Sequence, residues 1–157
     1  MTAYNSTQWN GGIAEVGSGP MGDLKVLYGS IEIGTALSSS DTINMFKAPA
    51  GFTPLFGWLV GDDIDTGTEA LQIDIGITGD ATKYLDSGVI TGDTIANEKI
   101  TVGIKIPLQE ELMTVKPTAF TTDTSVIATI TAAANSGGTG TLTLIMCGVY
   151  NDPRVGR

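Results

Sequence analysis

The chain lacks histidine altogether and has a single cysteine, Cys147, among its 157 residues. Without histidine it lacks the commonest general base and the usual imidazole metal ligand. A single cysteine excludes an intrachain disulfide and a cysteine-based zinc site. Cys147 stands in the apolar run LTLIMCGVY, where we expect a small buried side chain rather than a reactive thiol. We therefore predict a protein with no catalytic residues, no metal and no cofactor.

Positive charge is also scarce, since 8 basic residues face 17 acidic ones and the net charge is −9. Such a surface repels phosphate backbones and acidic lipid headgroups, so we expect neither nucleic acid nor a membrane as a partner. No apolar run approaches the roughly 20 residues of a membrane-spanning helix. The first twelve residues lack the pattern of a signal peptide, so we expect synthesis in a cytoplasm.

The sequence is rich in short β-forming runs that are joined by glycine-containing turns. Apolar and polar residues alternate along 24–34, 42–48, 70–77 and 100–106, and the run 51–61 is apolar at both parities. Alternation with period 2 indicates strands with one face buried, and a doubly apolar run indicates a strand that is covered on both sides. The second face of 51–61 is therefore predicted to lie inside the fold or against another subunit.

Two local irregularities are predicted within these runs. The apolar parity changes at Gly29, which predicts a β-bulge there. Pro54 cannot donate a ladder hydrogen bond, which predicts an edge position or a bulge. One face of the run 51–61 is predicted to carry Phe52, Phe56, Trp58 and Val60, and the other Leu55 and Leu59.

The runs 124–132 and 140–150 flank a glycine-rich loop and are predicted to form an antiparallel hairpin. Eight or so short strands with almost no helix predict an all-β fold. We expect a single antiparallel β-sandwich or barrel, jelly-roll-like, with an extended N-terminal arm.

Three segments are predicted along the chain: an extended arm (1–22), a β-sandwich domain (23–150) and a C-terminal tail (151–157). The arm mixes glycines and small polar residues with isolated apolar anchors. These anchors predict docking, either on a neighbouring subunit or on the arm's own domain. The tail is predicted to meet acidic groups of a neighbour or to remain solvated. Candidate interface residues are Tyr4, Trp9, Ile13 and Met21 in the arm, and Arg154 and Arg157 in the tail.

The stretch GDDIDTGTE (61–69) carries four acidic residues and two glycines. A hairpin turn accounts for all of them, because aspartate side chains bond nearby backbone N–H groups and glycine accepts positive φ. The spacing departs from a calcium loop, which wants glycine at position 6 and glutamate at position 12. Catalysis by a carboxylate pair needs a defined separation across a cleft. We favour the turn, with cation binding as the alternative.

The stretch 25–93 resembles structural proteins of tailed bacteriophages. The resemblance is carried by the aliphatic strand KVLYGSIEIG, the segment FTPLFGWL, the loop GDDIDTGTE and the turn GDATKYLDSG. It extends to TSVIATITAAANSGGTGTL and covers roughly residues 24–150. The resemblance implies a small virion β-domain that is present in many copies on the head, and none of these motifs carries chemistry.

Our first hypothesis is a capsid decoration (cement) protein at the capsid surface of the virion. It would bind the major capsid protein on the outer lattice, as a homo-oligomer that we expect to be a trimer. The second hypothesis is a tail, neck or fibre-associated virion protein with a receptor- or sugar-binding role. A small hydrolase that uses carboxylates is the third, and the missing histidine argues against it.

Overall fold

The computed structural model of the chain describes residues 1–6, 24–61, 64, 70–86, 104–108, 117–134 and 140–151. These residues form strands joined by turns and contain no helix. The strands are β1 (Ala3–Asn5), β2 (Leu24–Ile33), β3 (Thr42–Ala48), β4 (Phe52–Gly61), β5 (Gln72–Ile77), β6 (Asp80–Leu85), β7 (Ile104–Pro107), β8 (Thr124–Ala132) and β9 (Gly140–Tyr150).

The described strands lie in two sheets. The first sheet has the order β1-β3-β8-β5-β6 and the second has the order β2-β9-β4-β7. Neighbouring strands are antiparallel, except that β1 runs parallel to β3. The predicted all-β antiparallel sandwich is confirmed, whereas the jelly-roll connectivity and the arm stay predictions.

The described residues form one hydrophobic core between the inner faces of the two sheets. Strand β8 contributes every second residue to it, because successive side chains of a strand point to opposite faces. Strand β5 contributes Ile73 and Ile75, as its alternating pattern predicts. Among the described residues, the largest fully buried side chains are Tyr84, Phe46, Phe52, Leu27, Leu37, Ile43, Met45, Ile75, Leu85, Ile130, Leu142 and Leu144.

Two predicted hairpins are wrong. Strands β8 and β9 were expected to pair, but β8 pairs with β3 and β5 while β9 pairs with β2 and β4. The stretch 61–69 was expected to turn a hairpin, but β4 and β5 belong to different sheets. Both connections cross from one sheet to the other, and a run of turn-forming residues does not distinguish such a crossing from a hairpin.

The predicted bulge at Gly29 is also wrong, because β2 keeps one continuous register with β9 from Leu24 to Ile33. Gly29 is buried, and a Cβ there would collide with the Met45 carbonyl and come within 3.0 Å of Ser6 Oγ. The parity change has another cause: the residues before Gly29 that look like core residues lie on the outside of the sheet.

The irregularity predicted at Pro54 is confirmed as a bulge in β4. The register of β4 against β9 shifts between Pro54 and Phe56, so Leu55 is the extra residue. The bulge places Phe52 in the core, whereas Phe56 is exposed and Trp58 half-buried. The expectation that Phe52 shares a face with Phe56 and Trp58 is therefore wrong.

Candidate functional site

The outer face of the second sheet carries rows of apolar side chains across three neighbouring strands. Residues that pair directly in a sheet project to the same side. One row runs Val26–Cys147–Phe56 across β2, β9 and β4. The next row runs Tyr28–Ile145–Trp58, and Leu24 pairs with Val149 beyond the first row. The apolar face is defined by Leu24, Val26, Tyr28, Phe56, Trp58, Ile145, Cys147 and Val149.

Exposure of large apolar side chains is concentrated on this surface. Leu24, Val26 and Tyr28 are 54%, 52% and 52% exposed, and Phe56 is 39% exposed. Among the described residues, Met1 is the one other large hydrophobic side chain that is exposed. Scattered exposed apolar residues are normal on a protein surface, but a contiguous group marks an interaction site.

The centre of the apolar face is packed. The rings of Phe56 and Trp58 meet edge to face, with centroids 5.4 Å apart and an interplanar angle of 73°. Cys147 lies between Val26 and Phe56 in its row and is only 5% exposed, so the expectation of a small buried side chain is confirmed. A packed aromatic pair presents contact area at little cost in conformational entropy.

The apolar face ends in hydrogen-bonded polar pairs at one end of β2 and β9. Ser30 Oγ and Thr143 Oγ1 are 2.8 Å apart, and Thr141 Oγ1 donates to Glu32 at 2.8 Å. These pairs follow directly along the same side of the two strands. At this end of β2 and β9 the surface therefore changes from an apolar centre to a polar border, as the surface of a protein interface does.

The outer face of the first sheet differs from the apolar face. On β8 the core side chains Val126, Ala128 and Ile130 alternate with outward positions. The outward positions of β8 and β3 carry mainly polar residues: Ser125, Ile127, Thr129 and Thr131 on β8, and Asn44 and Lys47 on β3. The two faces of the sandwich are thus chemically distinct, and the apolar one is the candidate site.

The predicted arm residue Tyr4 lies on strand β1, against the core of its own domain. Strand β1 is held to β3 by the Ser6 N–H, which donates to the Asn44 carbonyl at 2.9 Å, and by the Thr42 N–H, which donates to the Thr2 carbonyl at 2.9 Å. The buried Ser6 hydroxyl also donates to the Met45 carbonyl. The beginning of the predicted arm is therefore a strand of the domain.

Asp41 fixes the start of β1 electrostatically. Its carboxylate accepts the Thr2 N–H at 2.7 Å and the Ser38 N–H at 3.0 Å. The Ser38 and Thr2 backbone N–H groups, in that order, lower the pKa of Asp41 from its ordinary value of 3.8. Hydrogen bonds to the charged form favour ionisation, so Asp41 is a carboxylate at neutral pH.

The other predicted interface residues lie outside the described residues: Trp9, Ile13 and Met21 of the arm, and Arg154 and Arg157 of the tail. Most of the acidic stretch 61–69 does too, so cation binding there stays a prediction. Ile64, within that stretch, is described and is buried in the core at 2% exposure. Its surroundings of aspartate gave no signal that it would be a core residue.

No group of three or more potential metal-ligating side chains occurs in the part of the chain that the structure describes. That same part contains no helix with the length and apolar character needed to cross a membrane. Among the described residues, the apolar face is therefore the candidate binding surface.

Comparison with known proteins gives structural neighbours only. No protein-family model matches the chain, and no curated protein matches its sequence. A chain of the cyanophage Pam1 capsid asymmetric unit is 23% identical with a TM-score of 0.68, over 88% of this chain and 93% of that one. A chain of the capsid of Ralstonia phage GP4 is 18% identical with a TM-score of 0.72, over 96% of this chain and 99% of that one. The chain therefore shares its fold, over nearly its whole length, with chains found in two phage capsids.

Sequence reasoning missed the apolar face as a unit. It left open that the second face of 51–61 meets another subunit, and Phe56 and Trp58 do lie on the outside. It predicted a strand with one buried face over 24–34 and did not place Leu24, Val26 and Tyr28 on the outside. A β2 strand with apolar residues at both parities was the available signal, as it was for β4.

Proposed function

We propose that this chain is a non-enzymatic structural protein of a phage virion, and within that class a capsid decoration (cement) protein. The observation that carries the proposal is the shared fold, which extends over 96% of this chain and 99% of a chain in the capsid of Ralstonia phage GP4. The resemblance of residues 24–150 to phage structural proteins supports the same class. The absence of histidine from the sequence argues against an enzyme.

The partner in this proposal is the major capsid protein, bound on the outer lattice by a homotrimer at the capsid surface. A protein that binds only the assembled lattice stabilises that lattice by mass action. Each bound copy adds buried surface across a boundary between capsid subunits, and the boundary then resists the pressure of packaged DNA better. A net charge of −9 keeps the outer surface soluble and repels DNA.

Within this proposal the arm and the tail make the lattice contacts. Strand β1 ties Tyr4 to its own domain, so Trp9, Ile13 and Met21 are the arm residues proposed to reach a neighbour. Arg154 and Arg157 are proposed to pair with acidic groups of the capsid. Alanine substitution of Trp9 should then weaken binding to capsids that lack the protein and leave the melting temperature of the free protein unchanged. Equal binding by the variant would remove the arm from the mechanism.

The test of the proposed function is copy number. This chain is quantified against the major capsid protein in purified virions, by mass spectrometry with isotope-labelled reference peptides. About one copy per capsid subunit, or one trimer per three-fold position of the lattice, supports the decoration role. A few to a few tens of copies per particle would overturn it and would place the protein at the neck, tail or fibre.

The second candidate is a receptor- or sugar-binding role on the tail, neck or fibre. The edge-to-face pair of Phe56 and Trp58 on the outer surface favours it, because aromatic rings stack on sugars. Binding to a glycan array that is lost on Trp58→Ala, together with a low copy number, would support this role. An array with no bound glycan, together with a high copy number, leaves the decoration role.

A further inference from the structure

We propose that the apolar face is the contact between copies of this chain, and that a second copy is what covers it. The proposal rests on the proposed function only for the number of copies, which is taken there to be three. It names the surface on which the copies meet, and that surface is defined by the structure independently of any capsid.

The chemistry of the apolar face sets what can cover it. None of the eight defining residues is charged, and they lie on adjacent strands in continuous rows. The nearest outward charge along β2 is Glu32, which lies beyond the hydrogen-bonded pair of Ser30 and Thr143. A partner that brought charges onto this centre would have to desolvate them without a counter-charge. The partner must therefore present an uncharged apolar surface of its own.

A second copy meets that requirement. The chain carries a net charge of −9, so copies repel one another through most of their surfaces. The apolar face is where two copies can meet without bringing carboxylates together. Contacts between identical chains are also the more apolar class of interface, with polar residues at the border.

The size of the apolar face agrees with the centre of such a contact. With strands about 4.8 Å apart and residues about 3.3 Å apart, three strands and three rows cover roughly 300 Å². A stable interface buries roughly 800 Å² on each partner, of which the apolar centre is a part. An apolar area of this size is at the lower end of the range in which the largest apolar patch on a protein surface is often functional.

The test measures the mass of the purified full chain by sedimentation velocity over a dilution series from micromolar to nanomolar concentration. Val26→Lys places a charge in the middle row of the apolar face, on strand β2. Thr131→Lys is the matched control, because Thr131 is exposed on an outward position of the opposite sheet. Tyr28→Ser is a second variant, which removes a half-exposed ring without adding charge and so leaves the core untouched.

We expect the wild-type chain and Thr131→Lys to sediment as the same multimer. Val26→Lys and Tyr28→Ser should each lower the association constant by about 30-fold or more, as removal of a central interface residue does. The melting temperatures of the two variants, extrapolated to concentrations at which the chain is monomeric, should agree with that of the wild-type monomer within a few degrees. A wild-type chain that is monomeric at micromolar concentration overturns the proposal, and so do face variants that keep the wild-type mass.

Capsid binding is measured separately on the same variants, so that the two proposals fail in different ways. A monomeric wild type that loses capsid binding on Val26→Lys assigns the face to the lattice, overturns the contact between copies and leaves the decoration role standing. If the wild-type chain is a multimer that Val26→Lys dissociates, the contact between copies is supported. If the chain is at the same time absent from virions, the decoration role is overturned. A dimer supports the contact between copies and overturns the homotrimer.

Discussion

At the scale of single residues, Asp41 connects three separate parts of the chain through hydrogen bonds. One carboxylate accepts N–H groups from Thr2 and Ser38, and the Asp41 carbonyl accepts the Ile130 N–H at 2.9 Å. The residue therefore joins strand β1, the turn before β3 and strand β8. Its side chain is 3% exposed. An uncharged substitute would leave one of these donors without its acceptor, because an amide offers a single oxygen.

Asp41→Asn should lower the melting temperature at neutral pH, and the difference from wild type should narrow in acid. The pKa of Asp41 is lowered in the folded state, so its contribution is complete above its ordinary value of 3.8 and is lost as pH falls through the lower folded value. Thermal unfolding of both proteins from pH 7 to pH 3 measures this. A difference that stays constant down to pH 3 would contradict the role of the carboxylate.

Gly29 is a second residue with a specific steric role, since the space beside its Cα is occupied by the Met45 carbonyl and Ser6 Oγ. Gly29→Ala should lower the free energy of unfolding by about 1–3 kcal/mol, the range for overpacking. Gly34→Ala is the control, because a Cβ there meets nothing within 4 Å, and it should change stability by less than about 0.5 kcal/mol. Urea denaturation compares them, and equal effects would contradict the close packing of β2 on β3.

At the scale of elements, the bulge in β4 decides which side chains reach the outside. Deleting Gly57, which follows the bulge, shifts the later part of β4 by one residue against β9, and such a shift turns every later side chain to the other face. Trp58 would turn inward and Leu59 outward, so we expect the deletion to cost more than about 4 kcal/mol and to abolish cooperative thermal unfolding.

The control is the deletion of Leu55, which removes the extra residue of the bulge and leaves Phe56 opposite Cys147 and Trp58 opposite Ile145. It should cost about 1–2 kcal/mol and leave unfolding cooperative. Circular dichroism follows both melts. A Gly57 deletion that melts like the Leu55 deletion would show that β4 slips without penalty, and the orientation of Phe56 and Trp58 would then need another cause.

Strand positions were predictable where alternation and turn residues agree. The runs 42–48 and 124–132 match β3 and β8, and 140–150 matches β9. The pairing of the strands was harder to predict, because a glycine-rich connection has the same composition whether it closes a hairpin or crosses between sheets. The expected hairpin of β8 with β9 failed for that reason, and strand order depends on contacts that are distant in sequence.

The candidate site was predictable only in part. Apolar residues at both parities of β4 predicted a strand with two covered sides; Phe56 and Trp58 lie on the outside, and the covering of that side by another subunit stays a prediction. The same pattern in β2 was interpreted as a bulge, because an alternation rule assumes that apolar residues face the core. Val26 and Tyr28 break the assumption, since hydrophobicity alone does not distinguish a core from a contact surface.

At the scale of the whole molecule, the net charge and the apolar face have opposite effects on self-association. Raising the salt from about 20 mM to about 300 mM shortens the Debye length from about 20 Å to about 6 Å. The repulsion between copies that each carry a charge of −9 is then screened, while apolar contact persists. We expect the self-association constant to rise several-fold, measured by sedimentation velocity. A constant that falls with salt would show that ion pairs hold the copies together.

The close approach at Gly29 also helps to decide which side of a strand faces the core when both sides of the strand are apolar. A strand that is polar on one side is oriented by water, but β2 and β4 present apolar residues to both sides and have no such guide. Gly29 and Gly57 supply another one: each is buried, and a Cβ at either position would meet backbone or core atoms within 3 Å. Turned over, either strand would push a larger side chain into that space. The inward side of each strand is thus fixed by a position at which only the hydrogen of a glycine fits. The outward side can therefore carry as many apolar residues as its partner requires.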